Sequence, residues 1–400
     1  MAALKLLRGA IPVDFPPGWY ARNGLDLGDK LLAHPLDAVG RVDRVTFPAS
    51  FGNRIREATL ESKRVDVPPG GRGMFGSGIQ FGFTVQNTAN TSLFRHGERL
   101  FAMWEGGLPT ELDDLTLRTL GHSHIAGARD GLPVTTGHAV LDVHLGMGGD
   151  AVSAHPLVDP MSGRAVLLLS SINVDASAVN YRIVELQPED MSVERERWLH
   201  VPGFTHVHGG MFITRDYYIL ITPCMSLDMR GYVCGQAMAD SIIHQKHAPT
   251  TLHVIPRCPG GSARSYEMPR CFVTHGVNAY QTYDAIVIDA MVADCLPDPM
   301  GGHRDLPDVR MRRIILHETR PPALDTIRIK SKRHSVKKAP KKAMIATAAL
   351  DWNPDKWACI PRLVGGHPTI EGRVRLFKKS YPMLFLLKWA DGLEQLRRAL

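Results

Sequence analysis

"NTANTSLFRHGERLFAMWEGGLP", residues 87–109, sets two short apolar runs on either side of a polar break. Leu93 and Phe94 precede "HGE" at residues 96–98, and Leu100, Phe101 and Met103 follow it. Runs of this length around a tight polar turn read as a β-hairpin. Glu105 closes the hairpin, bracketed by Trp104 and two glycines. A carboxylate at the inner end of a buried hairpin needs a partner, because a charge removed from water without one is costly.

The same pattern recurs along the chain. "RAVLLLSSINV", "YRIVELQ", "MFITRDYYILITP", "TLHVIP", "DAIVIDAMV" and "RMRRIILHE" are short β-rich runs punctuated by Gly, Pro, Asn and Asp. Many short strands with turns between them imply an all-β sandwich, barrel or propeller, and a count above a dozen favours the propeller. There is no clean repeat signature such as a WD dipeptide. The "RPPALD" segment, residues 320–325, reads as a turn leading into a basic surface insertion. The tail is ambiguous: Leu386, Trp389, Leu393 and Leu396 fit helical spacing, whereas "MLFLLKW" fits a core strand.

At 400 residues and 44% hydrophobic content the chain can bury a substantial core, and one large domain is the expectation. No run approaches eighteen uninterrupted apolar residues, so no membrane-spanning helix is expected. Lys5 and Arg8 interrupt the apolar runs at the start, which makes a poor secretory signal and points to a cytoplasmic address. Six cysteines without CxxC spacing, at 224, 234, 258, 271, 295 and 359, read as reduced and mostly packed inside. The net charge of +7 is local: residues 328–342 carry eight basic residues and no acid, so the remainder, +7 less 8, stands at −1. Without aromatic interleaving that run does not argue for nucleic acid, and none is expected as a partner; it reads as a solvated loop able to touch anionic lipid head groups.

Three of the eighteen histidines sit in β-rich, apolar surroundings: His155 in "GGDAVSAHPLVDPMSGRAVLLL", His208 in "FTHVHGGMFITRDYYIL" and His275 in "RCFVTHGVNAY". Each taken singly reads as a satisfied core or turn histidine. A propeller, however, brings the inner strands of its blades to one axis, so single histidines from several blades can converge on one ion. Imidazoles suit Fe, Zn and Cu. A metal-bound histidine usually passes its other N–H to a carboxylate, and Glu105 is a candidate for that carboxylate. The plainer alternative is that Glu105 caps its turn or pairs with a nearby basic residue.

These stretches, with "PGWYARNG" at residues 17–24, "HPLDAVGRV" from His34, "AHPLVDPMSG" from Ala154 and "FVTHGVNAY" from Phe272, resemble the carotenoid cleavage oxygenase family. That family includes the retinal-pigment-epithelium retinoid isomerase and bacterial stilbene-cleaving dioxygenases. The resemblance runs in order along nearly the whole chain, more weakly through "LDWNPDKWACIPRLVGG" and "LFLLKWADG". It implies an all-β, seven-bladed β-propeller in a single domain over residues 1–400, incomplete at its last blade, with the basic insertion at 328–342. It further implies a non-haem Fe(2+) on the axis, held by histidines that glutamates support, and O2-dependent cleavage of a carotenoid, apocarotenoid or other conjugated alkene to aldehydes or ketones. Peripheral contact with a membrane would give access to such a substrate.

Carried over residue by residue, His155 and His275 match two ligands, and Glu105 matches a supporting carboxylate. The second ligand's usual place, five residues before Thr214, is Gly209 here; His208 is one residue away and His206 three, and a one-residue bulge at His208 would turn it inward. The next supporting glutamate falls at Asp351, a shorter acid, and the usual "FDGDG" is "LDAVG". The family's third glutamate and fourth histidine have no match. Two functional readings follow: an iron-dependent dioxygenase, or a non-catalytic propeller that binds a lipid or a partner.

Overall fold

The hairpin forms where the sequence places it. Strands Ser92–His96 and Arg99–Met103 pair antiparallel with His96 opposite Arg99, and the two-residue turn has Gly97 at φ 57, a conformation that costs glycine little. The computed structural model describes residues 2–4, 18–26, 37–47, 58–67, 85–234, 236–295, 309–317 and 323–326. Asp351, the basic segment 328–342 and the C-terminal tail lie outside the described residues.

Among the described residues the hairpin belongs to one of five successive antiparallel sheets with a four-stranded path. The first joins Gly18–Leu25, Gly40–Phe47 and Ala58–Arg64, with Ala2–Leu4 on its far edge. The second runs Ser92–His96, Arg99–Met103, Thr110–Leu112, Thr119–His122, and the third Ala151–Val152, Ala165–Asn173, Ala178–Leu186, Val193–Pro202. The fourth runs Met211–Ile213, Tyr217–Thr222, Thr250–Pro256, Arg264–Met268, and the fifth Phe272–Gln281, Ala285–Ala293, Arg310–His317, Ala323–Thr326. The second to fifth paths are up-and-down meanders of the kind that makes a propeller blade, and in the first a three-strand meander is joined by Ala2–Leu4 beside its last strand.

The alternation of side chains along a strand explains why these strands read as unbroken apolar runs. Val166 and Leu168 face the fourth sheet, in a cluster with Met211, Tyr218 and Leu220, whereas Leu167 and Leu169 face the second, with Phe101 and Met103. In the fourth sheet Leu220 packs back on the third while Ile219 and Ile221 pack forward on Ile286, Ile288 and Ile314 of the fifth. Val42, Leu100, Ala102 and Leu112 join the first sheet to the second. The second, third and fourth sheets are thus each covered on both faces by their neighbours in sequence, which is the geometry of adjacent blades.

A buried ionic cluster interrupts this packing. Arg257 of the fourth sheet is buried against the third, donating to Asp159 at 2.6 Å, to Glu185 at 2.8 Å and to the carbonyl of Thr214 at 2.9 Å. Tyr218 donates to the same Glu185 oxygen at 2.5 Å. Every strong acceptor and donor there is satisfied, which a buried charge requires.

Two expectations fail. Cys224, Cys234 and Cys258 are exposed, and of the five described cysteines only Cys271 is buried; all five are free thiols. The exposed three sit in loops, where packing makes no demand on a thiol. The expected turn at residues 320–325 is partly strand, since Ala323–Thr326 pairs with Arg312–Ile315 and adds an edge to the fifth sheet.

Candidate metal centre

Glu105 lies two residues after Met103, where the chain leaves the second strand of its sheet. The Trp104 indole folds back over the following residues: a Cβ on Gly106 would come within 2.6 Å of its ring. Glycine there lets the bend close and leaves Glu105 pointing inward, with 9% of its side chain exposed.

His155 reaches the same point by a break in a strand. Ala151–Val152 and Leu157–Val158 both pair with Ala165–Asn173, and residues 153–156 leave the ladder between them. The detour is pinned: the Ser153 N–H donates to the Leu168 carbonyl at 2.8 Å, the His155 N–H to Ser153 Oγ at 3.2 Å, and the Ser92 hydroxyl to the Ala154 carbonyl at 2.6 Å.

His275 comes from the fifth sheet, on Phe272–Gln281, which carries register shifts on both sides of it, between Val273 and His275 and between Gly276 and Asn278. His208 lies in the loop ahead of Met211–Ile213. The bulges therefore sit on the His275 strand and not at His208, which reaches inward from an irregular loop. The reason lies in Gly209. A Cβ there would stand 2.4 Å from the Thr274 carbonyl oxygen and 2.6 Å from the His275 Cα, so the position expected to carry a ligand has no room for a side chain.

The three histidines expected from the sequence meet. Ring centres are 4.6 Å apart for His155 and His208, 5.3 Å for His155 and His275, and 5.8 Å for His208 and His275. Imidazoles that share an ion at about 2.1 Å from each nitrogen have centres about 4.5–6 Å apart, so these spacings suit a common ion. Glu105 Oε1 lies 3.0 Å from His155 Nε2 and 3.5 Å from His208 Nδ1. His206 is close as well, its ring 6.2 Å from that of His208, and Glu105, His206 and His208 can bring one ligand atom each within 4.8 Å of the others. Phe272 lies nearly parallel to His208 at 6.3 Å and limits its ring to that plane.

The electrostatics are those of a metal site. Burial would raise the Glu105 pKa, but attraction to His155, His208 and His206 outweighs it and holds the carboxyl at about 2. Burial, reinforced by repulsion from His155, pushes His275 down to about 4 and His208 well below the ordinary histidine value. At neutral pH the carboxylate is charged and these two rings carry free lone pairs. Both Glu105 oxygens and His155 Nε2 are buried and, apart from the contacts of Oε1 with His155 and His208, have no hydrogen-bond partner among the described residues. Buried polar atoms are rarely left so sparsely bonded, and a cation at the rings would complete the site. Nitrogen and carboxylate donors of this kind suit iron(II), zinc or cobalt(II).

Beside the cluster a narrow apolar cleft runs between the inner strands, lined by Leu157, Val158, Phe212, Ile213, Val277 and Ala279 among others. Its solvent-centre space of about 20 Å³ admits one water-sized molecule. Among the described residues no helix is long and apolar enough to cross a membrane.

The geometry has counterparts in known proteins. The profile of the family described as retinal pigment epithelial membrane protein matches residues 2–372. The apocarotenoid-15,15'-oxygenase of Synechocystis sp. is 28% identical over 311 residues, 73% of this chain and 59% of that protein. The chloroplastic carotenoid cleavage dioxygenase 7 of Oryza sativa subsp. japonica is 29% identical over 316 residues, 66% of this chain and 51% of that protein. Isoeugenol monooxygenase of Pseudomonas putida is 28% identical over 56% of this chain and 42% of its own length. The chain thus spans three fifths or less of these relatives. Among solved structures, cobalt-substituted Synechocystis ACO superposes with a TM-score of 0.64 at 26% identity, covering 80% of this chain and 68% of that one. An ACO/RPE65 chimera gives 0.66 at 24%, covering 81% and 69%. These neighbours are β-propellers.

Proposed function

We propose, because the chain belongs to the retinal pigment epithelial membrane protein family of carotenoid cleavage oxygenases, that it is a non-haem iron(II)-dependent dioxygenase. On this reading it cleaves one double bond of a carotenoid or apocarotenoid with O2, giving two carbonyl products. The observation that carries it is the convergence of His155, His208 and His275, from three separate segments, on the buried carboxylate of Glu105. The names of the relatives support the same chemistry, since they are oxygenases of carotenoids, apocarotenoids and isoeugenol.

His155, His208 and His275 would hold the iron. Bound there, iron(II) supplies the centre at which O2 and the alkene exchange electrons. The protein's own residues position and protect that centre. Burial keeps His208 and His275 neutral, hence able to donate. Phe272 and the pinned detour at residues 153–156 fix two of the rings before any ion arrives, and such preorganisation is what a binding site needs from its scaffold. The apolar clusters between sheets exclude water from the floor of the site.

The test is metal analysis of the anaerobically purified chain, followed by incubation with an apocarotenoid, a carotenoid and isoeugenol under 18O2. Near-stoichiometric iron and labelled aldehyde from one of the polyenes are expected. A folded chain that takes up no iron sinks the reading, and label appearing only from isoeugenol moves the substrate to aryl alkenes.

A further inference from the structure

We infer that Ser92 is a positioning residue for the contact between His155 and Glu105: its hydroxyl sets how His155 meets the carboxylate, and through that contact how tightly the site holds its ion. This rests on the metal reading above and adds to it a residue outside the donor set.

The His155 ring donates from Nε2 to Glu105 Oε1 at 3.0 Å, and a carboxylate in that place fixes the tautomer and orientation of a ligating imidazole. The two side chains come from separate segments, so their spacing is set by whatever joins the backbones. Ser92 joins them. On one side it lies opposite Met103 in the antiparallel ladder, two residues before Glu105, and the adjoining Thr91 N–H donates to the Met103 carbonyl at 3.1 Å. On the other side its hydroxyl donates to the carbonyl of Ala154, the residue before His155, at 2.6 Å. Short stretches of chain and hydrogen bonds thus close a circuit through Met103, Ser92, Ala154, His155 and Glu105.

Residues 153–156 leave the ladder of their own sheet, so at Ala154 a side chain does what a neighbouring strand does elsewhere. A serine hydroxyl has little reach and therefore carries the position of its strand closely. Ser92 is also held from behind. The Asn23 amide, on the first sheet, donates to the Ser92 carbonyl at 3.2 Å and to the Ala89 carbonyl at 2.7 Å, and its oxygen accepts from the Gly24 N–H at 3.1 Å. Without the Ser92 hydroxyl, the bond from the Val152 N–H to the Gly107 carbonyl, at 3.1 Å, still docks the segment, while the residue next to the histidine loses its tether.

The experiment is titration of the metal-free full chain with Co(II) against a competing chelator, reading affinity and the visible d–d absorption, for the wild type, Ser92→Ala, Ser92→Val and Ser92→Thr. Ser92→Ala and Ser92→Val should bind Co(II) about 10- to 100-fold more weakly, as on loss of other partners of a ligating histidine, with d–d bands changed in position. Ser92→Thr keeps the hydroxyl and should stay within about threefold of the wild type with unchanged bands. Valine matches threonine in shape, so that pair isolates the hydroxyl. Wild-type affinity and bands in Ser92→Ala or Ser92→Val overturn the inference, and so does Ser92→Thr weakening as much as Ser92→Val. If Ser92→Ala does not fold, the valine and threonine variants decide; if neither Ala nor Val folds, the hydroxyl serves folding alone and the inference is overturned. No Co(II) uptake by the wild type overturns the metal reading and the inference with it.

Discussion

The Cα of His275 stands 2.6 Å from where a Cβ on Gly209 would be, so the loop that carries His208 and the strand that carries His275 touch backbone to backbone. The other side of the contact is equally tight, since a Cβ on Gly276 would meet Phe212 at 2.9 Å. Gly209→Ala should therefore force the two segments apart, at a cost of about 1–3 kcal/mol for overpacking. Urea denaturation of the metal-free chain checks the cost. An unchanged midpoint would show that the loop yields freely.

His208 and His206 compete for one role, and the geometry separates them. The His208 ring is 4.6 Å and 5.8 Å from those of His155 and His275, whereas His206 is next to His208 at 6.2 Å. His208→Ala should abolish metal uptake, as should His155→Ala and His275→Ala, while His206→Ala should retain it with a loss of about tenfold or less, as for a residue outside the donor set. Metal content of the four variants is the measurement. The reverse ranking of His206 and His208 would reassign the ligand.

Arg257 is the ionic link between the third and fourth sheets. Its side chain is 5% exposed and Glu185 is fully buried, so Arg257→Met removes the buried counter-charge of Asp159 and one partner of Glu185, which keeps Tyr218, Arg164 and Arg195, and should cost about 3–5 kcal/mol. Asp159 shows the sign of the acid response. Burial would raise its pKa, but hydrogen bonds from Arg257 and the Met161 N–H hold it below the ordinary aspartate value. Its contribution is present above about pH 4 and is lost as pH falls through that depressed value. Denaturation midpoints of Asp159→Asn should accordingly depend less on pH below 4 than those of the wild type.

His253 gives a pH response away from the metal. It sits between the Thr222 hydroxyl at 2.8 Å from Nε2 and the Ser265 hydroxyl at 2.8 Å from Nδ1, and burial lowers its pKa to about 4. The unfolded chain takes up the proton at an ordinary histidine pKa and the folded chain does not. Stability is therefore full above about pH 6.5 and falls as pH drops towards 4, by on the order of 3 kcal/mol from this residue. In His253→Asn the slope of stability against pH over that interval should be shallower. An equal slope would place the effect elsewhere.

The strand-rich fold was legible because blades buried on both faces write themselves as short unbroken apolar runs, as at Leu167–Leu169 and Tyr218–Ile221. Glu105 could be picked out because a charge in such a setting has no local explanation. The displacement of His208 could be stated but not explained from sequence, since the crowding at Gly209 depends on a backbone 66 positions away. Arg257 escaped notice for the same reason: its partners Asp159 and Glu185 are 98 and 72 residues distant, and nothing near it distinguishes it from a surface arginine. The cysteines misled because burial statistics say little about a thiol that lands in a loop.

Glu105 and His275 are separated by 170 positions, and His155 and His208 fall between them. An ion held by the three histidines, with Glu105 against His155 and His208, would act as a clip across the second to fifth sheets, closing chain loops that no disulfide closes among the described residues. Its binding free energy would go entirely to the docked arrangement of the sheets, because the separated segments offer no shared site. Loading with metal would then raise the melting temperature of the whole propeller in proportion to the logarithm of free metal concentration, and stripping it would loosen the interfaces between the second, third, fourth and fifth sheets before the sheets themselves.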